Sequence, residues 1–136
     1  MGRVIVEFTV ANNVDLAMAA QGMMPPEQVR QVQVKGTVDT GANWLVLPQT
    51  VATELGLPPT KPMLVRFGDG RLEFRDVVEQ AWVEMFGRHG TFRAIVEPNR
   101  ADALVGAIVL EDLDLLVDCS NQTLQPRHPE HMTGNV

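Results

Sequence analysis

Few residues in this chain are placed to do chemistry, and one group stands apart by its setting. Asp39-Thr40-Gly41 lies between two apolar runs: Val34 to Val38, with Gly36 between them, and Trp44 to Leu47. A carboxylate fed by a strand into a tight glycine turn among apolar chain is costly unless it is hydrogen-bonded or has a task, and the task open to it is proton transfer. Thr40 brings a hydroxyl that both donates and accepts, and Gly41 lets backbone come close or take positive φ. The other candidates are weaker. Asp69 sits in Gly68-Asp69-Gly70 and Asp118 precedes Cys119-Ser120, so neither repeats the Asp-Thr-Gly pattern. His128 and His131 read as H-x-x-H in a proline-containing tail with no third ligand, so no metal is expected there. Cys119, the single cysteine, stands at an apolar-to-polar transition and reads as a half-buried residue, not a nucleophile. No G-x-S-x-G supports a serine triad.

Val38-Asp39-Thr40-Gly41-Ala42 resembles, position by position, the active-site loop of the retropepsin-like aspartic proteases, apolar-Asp-Thr/Ser-Gly-Ala/Ser. A second stretch agrees. Leu104-Val105-Gly106 followed by Ala107–Leu113 is similar to the apolar-glycine-helix mark that the family carries after its flap. The order of loop, short helix, hairpin, apolar-glycine, helix and closing strand also fits. The ending from Leu110 to Pro126 looks like that of the single-domain bacterial members, so the resemblance spans Val4 to Pro126. One departure is plain. Viral members carry an Asp two residues after the catalytic Gly and an Arg just after the second Gly, joined as a salt bridge; here these places hold Asn43 and Ala107. Both partners are replaced together, so no charge is stranded.

The resemblance implies a mostly β, closed acid-protease barrel with one or two short helices and a flap hairpin. It also implies a half-enzyme. One Asp-Thr-Gly supplies one carboxylate, so two copies of Asp39 would meet across a two-fold axis in a homodimer and share one proton and one water. The charged member would act as general base on the water, and the protonated one would donate to the carbonyl of a peptide or protein substrate. Thr40 would hold the two loops together, and Gly41 would leave room for substrate backbone. Substrate-binding positions carried over in the same way are Ala42, Asn43, Phe67, Gly68, Asp69, Gly70, Leu104, Val105 and Gly106. Ala42, Leu47, Val65, Phe67 and Leu104 would form an apolar lining. No cofactor is implied. The alternative is a catalytically silent dimeric binding module of the same fold.

Composition agrees with a single globular domain. The 136 residues are 45% hydrophobic, and no apolar run reaches the ~20 residues of a membrane span. A net charge of −6 with scattered basic residues leaves no footprint for nucleic acid. The N-terminus has no signal-like segment, Gly2 lacks a myristoylation context, and one cysteine suits a reducing compartment, so a cytoplasmic chain is expected.

The elements that must position Asp39 follow from periodicity. Arg3–Ala11 alternates as a strand, Asn12-Asn13 signals a turn, and Val14–Ala20 reads as a second strand. Gln28–Val38 is the strand that delivers Asp39. Thr50 is placed to cap a short helix whose Val51, Ala52 and Leu55 share a face and which Gly56 closes. Met63–Phe74 is a hairpin turning at Gly68-Asp69-Gly70. Val77–Phe86 and Thr91–Val96 are strands joined by Gly87–Gly90. Leu115–Asp118 and Gln122–Gln125 close a domain over 1–126, and 127–136 reads as a flexible tail.

Overall fold

The computed structural model describes residues 3–136; Met1 and Gly2, and with them the reading against lipidation at Gly2, lie outside it. Six strands close a barrel in the order β1 (Val4–Asn12), β2 (Gln31–Val38), β8 (Ala103–Val105), β3 (Leu45–Pro48), β7 (Arg88–Glu97) and β6 (Val77–Met85), with β6 pairing back to β1. Two small antiparallel pairs stand beside it, β4 (Met63–Arg66) with β5 (Leu72–Arg75), and β9 (Leu115–Asp118) with β10 (Thr123–Pro126). The helices are short: α1 (Asn13–Ala20), α2 (Gln49–Leu55) and α3 (Ala107–Asp112). The expected mostly β closed barrel with short helices and a hairpin is therefore the architecture. Among the described residues no helix is long and apolar enough to cross a membrane.

Alternation decides which side of each strand fills the barrel. Val4, Val6, Phe8 and Val10 of β1 point into the core, while Ile5 and Glu7 face solvent. β1 pairs antiparallel with β2 from Val4↔Val38 to Ala11↔Gln31. Gly36 in β2 is required by this packing. A Cβ there would stand 3.0 Å from the Phe8 ring and 3.3 Å from the Ala103 side chain, so a bare backbone lets Phe8 fill the centre. Leu45, Leu47, Leu55, Val83, Ala94, Val105, Val109 and Leu113 complete the core around it.

Five local readings are corrected. Val14–Ala20 is helical, not a strand, and Asn12-Asn13 is not a free turn. Asn12 ends β1, and its side-chain oxygen accepts the Val14 and Asp15 amides at 2.9 and 3.1 Å, which caps α1. Its amide nitrogen donates to Leu55 O at 2.9 Å, tying α1 to the end of α2. Thr50 does not cap α2: the helix starts at Gln49 after Pro48, with no side-chain cap, though Gly56 closes it at φ +59 as expected. The β6–β7 link is two residues, Phe86 and Gly87 at φ +56 and +74, which is the primed turn that suits strand twist, so β7 starts at Arg88. Cys119 is exposed.

The segment after β10 is irregular and exposed but fastened. The buried Arg88 guanidinium donates to Leu113 O, Asp114 O, His128 O and His131 O. Asp114 accepts the Thr133 amide and hydroxyl, each at 2.8 Å, and the Arg127 guanidinium at 2.9 Å. These bonds, the Thr133 amide foremost, bring the Asp114 carboxyl from 3.8 down to about 2.

Candidate active site

Asp39 is the first residue past the barrel strand β2, and the β8–α3 junction holds its loop from behind. The last β2–β8 pair is Val38↔Val105. The Asp39 amide donates to Val105 O at 3.0 Å, and the Ala42 amide turns back onto Asp39 O at 3.1 Å. Gly106 then passes directly beneath the loop. A Cβ on it would stand 2.5 Å from Trp44 O, 2.6 Å from Asn43 C and 2.8 Å from Ala42 O, so only glycine allows the two backbones to meet. The amides that open α3 have no partner inside the helix. Ala107 donates to Ala42 O at 2.8 Å and Ile108 to Asn43 O at 2.9 Å. These backbone bonds fasten the loop at Asn43 and Ala107, the two places where the viral salt bridge has no counterpart.

The carboxylate itself is pinned at one oxygen, since the Gly41 amide donates to Asp39 Oδ1 at 2.9 Å. Asp39, Thr40, Gly41 and Asn43 are exposed and Ala42 is half-buried. The apolar enclosure expected around Asp39 is thus not formed by this chain's own residues; the loop lies open at the surface.

The β4–β5 hairpin stands over this loop. Its turn is a three-residue loop, with Gly70 N–H to Phe67 O and Phe67 N–H to Arg71 O, both at 2.9 Å, and Gly70 at φ +89. Gly68 has no positive φ, so only one of the two flanking glycines is demanded by the turn. Asp69 accepts the Arg71 amide and Nε, both at 3.0 Å, and these bonds lower its carboxyl below 3.8, the backbone bond most. The half-buried Met63, Val65 and Phe67 form one face of the hairpin; Leu64, Leu72 and Phe74 are exposed on the other. Phe67 lies between two guanidiniums, Arg71 at 4.6 Å and Arg75 at 5.1 Å from the ring centre. Arg75 also donates to Glu97 Oε1 of β7 at 2.6 Å, which clasps the hairpin base to the barrel.

Between hairpin and loop runs a cleft of ≈ 590 Å³. Of the residues expected there, Asp39, Gly41, Ala42, Asn43, Val65, Phe67, Gly68 and Leu104 border it. Thr40 is exposed beside it, Asp69 and Gly70 form the hairpin tip, and Val105 and Gly106 lie behind the loop, Val105 fully buried. Leu47 is corrected: it is fully buried in the core, and its neighbour Val46 borders the cleft instead. Sequence reasoning missed Trp44, Met63, Leu64, Arg66, Ile95, Glu97 and Arg100, which complete the wall. The available signal was strand parity. Leu45 and Leu47 share the inward face of β3, which turns Val46 the other way. A larger hollow of ≈ 730 Å³ lies against α3, β9 and the C-terminal segment, away from Asp39. Asp114 and Arg127, which border it, are bonded to each other. No cluster of candidate metal ligands occurs among the described residues.

No family model matches the sequence, and no curated protein matches it. Among solved structures the chain is similar to the EIAV protease complexed with the inhibitor HBY-793. The TM-score is 0.55 at 16% identity, over 82% of this chain and 88% of that one. The likeness establishes the fold, which is retropepsin-like.

Proposed function

We propose that this chain is an aspartic endopeptidase of the single-domain bacterial type, active as a homodimer through residues 1–126. Two Asp39 carboxylates would meet across a two-fold axis and activate one water on a peptide carbonyl. Cytoplasmic action is part of the proposal, in keeping with a single unpaired cysteine. The observation that carries the reading is the Asp39 loop, rigidly fastened by β8 and α3, open at the surface, and set beneath a hairpin that roofs a cleft. An open loop is what a site completed by a second copy needs. One pinned oxygen, held by the Gly41 amide, leaves the other directed by what lies across the axis.

Two like charges so close cannot both ionise easily, so the pair holds one proton. The ionised member then takes a proton from water while the protonated member donates to the carbonyl oxygen. Hairpin closure over an extended peptide excludes bulk water. The deciding experiment is cleavage of a peptide library by the wild type and by Asp39→Asn in mildly acidic buffer, with pepstatin as a control. Asn holds the same Gly41 amide but cannot act as base, so turnover should fall by about 10²–10⁴-fold with the fold intact. A folded, dimeric Asp39→Asn that cleaves at the wild-type rate would end the proposal. Cleavage by neither protein, with peptides still bound, would favour the silent binding module.

A further inference from the structure

The cleft wall opposite the Asp39 loop carries charge that an all-apolar lining would not need. Glu97 and Arg100 border it there, at the end of β7 and in the turn that leads to β8. Glu97 is neutralised from behind, since its Oε1 takes the Arg75 Nε at 2.6 Å. Arg100 is half-buried, and its Nε donates to Asp102 O at 2.7 Å. That bond fixes the plane of the guanidinium and leaves both terminal nitrogens free to donate. Among the described residues it has no carboxylate within ion-pair distance. Arg66 also borders the cleft, but it is exposed on the hairpin, whereas Arg100 is half-buried and held by a backbone bond.

Register places Arg100 relative to the reacting group. β8 runs parallel to β2 with Gly36↔Ala103 and Val38↔Val105, so Asp39 lies just past the last pair and Arg100 before the first. The offset along the strands is roughly 10 Å or more, and an extended peptide advances roughly 3.3 Å per residue. A peptide running along that direction would place Arg100 at least about three residues from the bond that Asp39 would attack.

We propose that Arg100 is a specificity-determining residue that recognises a carboxylate side chain on an extended peptide, at least about three residues from the scissile bond. The substrate class is then a peptide with apolar residues at the cut and a Glu or Asp outside them. In a two-fold dimer Arg100 stands at both ends of the cleft, so either flank can carry the acid. This rests on the endopeptidase reading, and its test separates the two.

Peptides cut by the full-length wild type are resynthesised as Glu/Gln pairs at every position from two to about six residues from the bond, on both sides. At one position or more the Glu peptide should have a kcat/KM about tenfold higher than its Gln match. The ratio should shrink as salt rises, which requires no variant to fold. It should fall to about one in Arg100→Gln, persist in part in Arg100→Lys, and drop below one in Arg100→Glu. A wild-type ratio near one at every position, or a ratio that survives in folded Arg100→Gln, overturns the assignment. If no peptide is cut, the endopeptidase reading fails by itself. Glu/Gln pairs built on an apolar core are then titrated by fluorescence anisotropy onto Asp39→Asn and Asp39→Asn/Arg100→Gln. A preference for Glu that disappears with Arg100 supports the assignment; equal affinities, or no binding, overturn it.

Discussion

At the scale of single residues, the site depends on groups that do no chemistry. Asp39 was legible because a carboxylate in an Asp-Thr-Gly between apolar runs has few structural uses. Gly106 was legible only as part of a pattern, and its reason is contact, not conformation. Its φ of −94 suits any residue, yet a Cβ would collide with three backbone atoms of the Asp39 loop. Gly106→Ala should therefore cost about 1–3 kcal/mol or more, because backbone, unlike a side chain, cannot rotate away. The loss should also exceed what stability alone predicts for turnover, since the loop must shift to make room. Urea unfolding together with kcat on the folded fraction checks both; an alanine variant with wild-type stability would mean the loop has space that the backbone positions deny. Arg100 and Glu97 were not legible, because nothing in Pro98–Asp102 marks a polar connection as a cleft wall until β8 is paired with β2. Leu47 shows the converse. Leu45-Val46-Leu47 permits either parity, and the larger side chains took the core.

At the scale of elements, most strands could be read from alternation, and the clear failure was α1. Val14–Ala20 is apolar enough to suggest a buried strand, but Leu16, Ala17, Met18, Ala19 and Ala20 are strong helix formers, and Asn12 caps them. The one buried residue of α1 is Asp15, paired with Arg30 at 2.8 Å, so neither a two- nor a 3.6-residue apolar period was there to find. The hairpin was legible from Gly-Asp-Gly, but the division of labour within it was not. Gly70 at φ +89 is the left-handed residue of the turn, while Gly68 has open space and an ordinary backbone. Gly70→Val should strain the tip and lower peptide turnover several-fold, whereas Gly68→Val should leave the turn formed. Steady-state kinetics of the two single variants separate them. Equal effects would mean that tip mobility, shared by both glycines, and not turn geometry, governs closure.

At the scale of the whole molecule, the barrel buries a continuous apolar core and still leaves the Asp39 loop at the surface. Four backbone hydrogen bonds hold that exposed loop in place. The dimer is the reading that uses it, and it makes a prediction about concentration. Activity per chain should fall on dilution through the dimer dissociation constant and follow a quadratic binding curve, because monomers carry one carboxylate each. The measurement belongs between about pH 4 and 6, near the ordinary carboxyl range. Asp114 does not weaken the fold in that window. Asp114 has its folded pKa lowered from 3.8 to about 2, so its contribution to stability is complete above 3.8 and is lost only as pH falls through about 2. Light scattering and peptide cleavage on the same dilution series decide the matter. Constant activity per chain at concentrations where scattering reports only monomers would show that one Asp39 suffices, and the two-fold site would have to be abandoned.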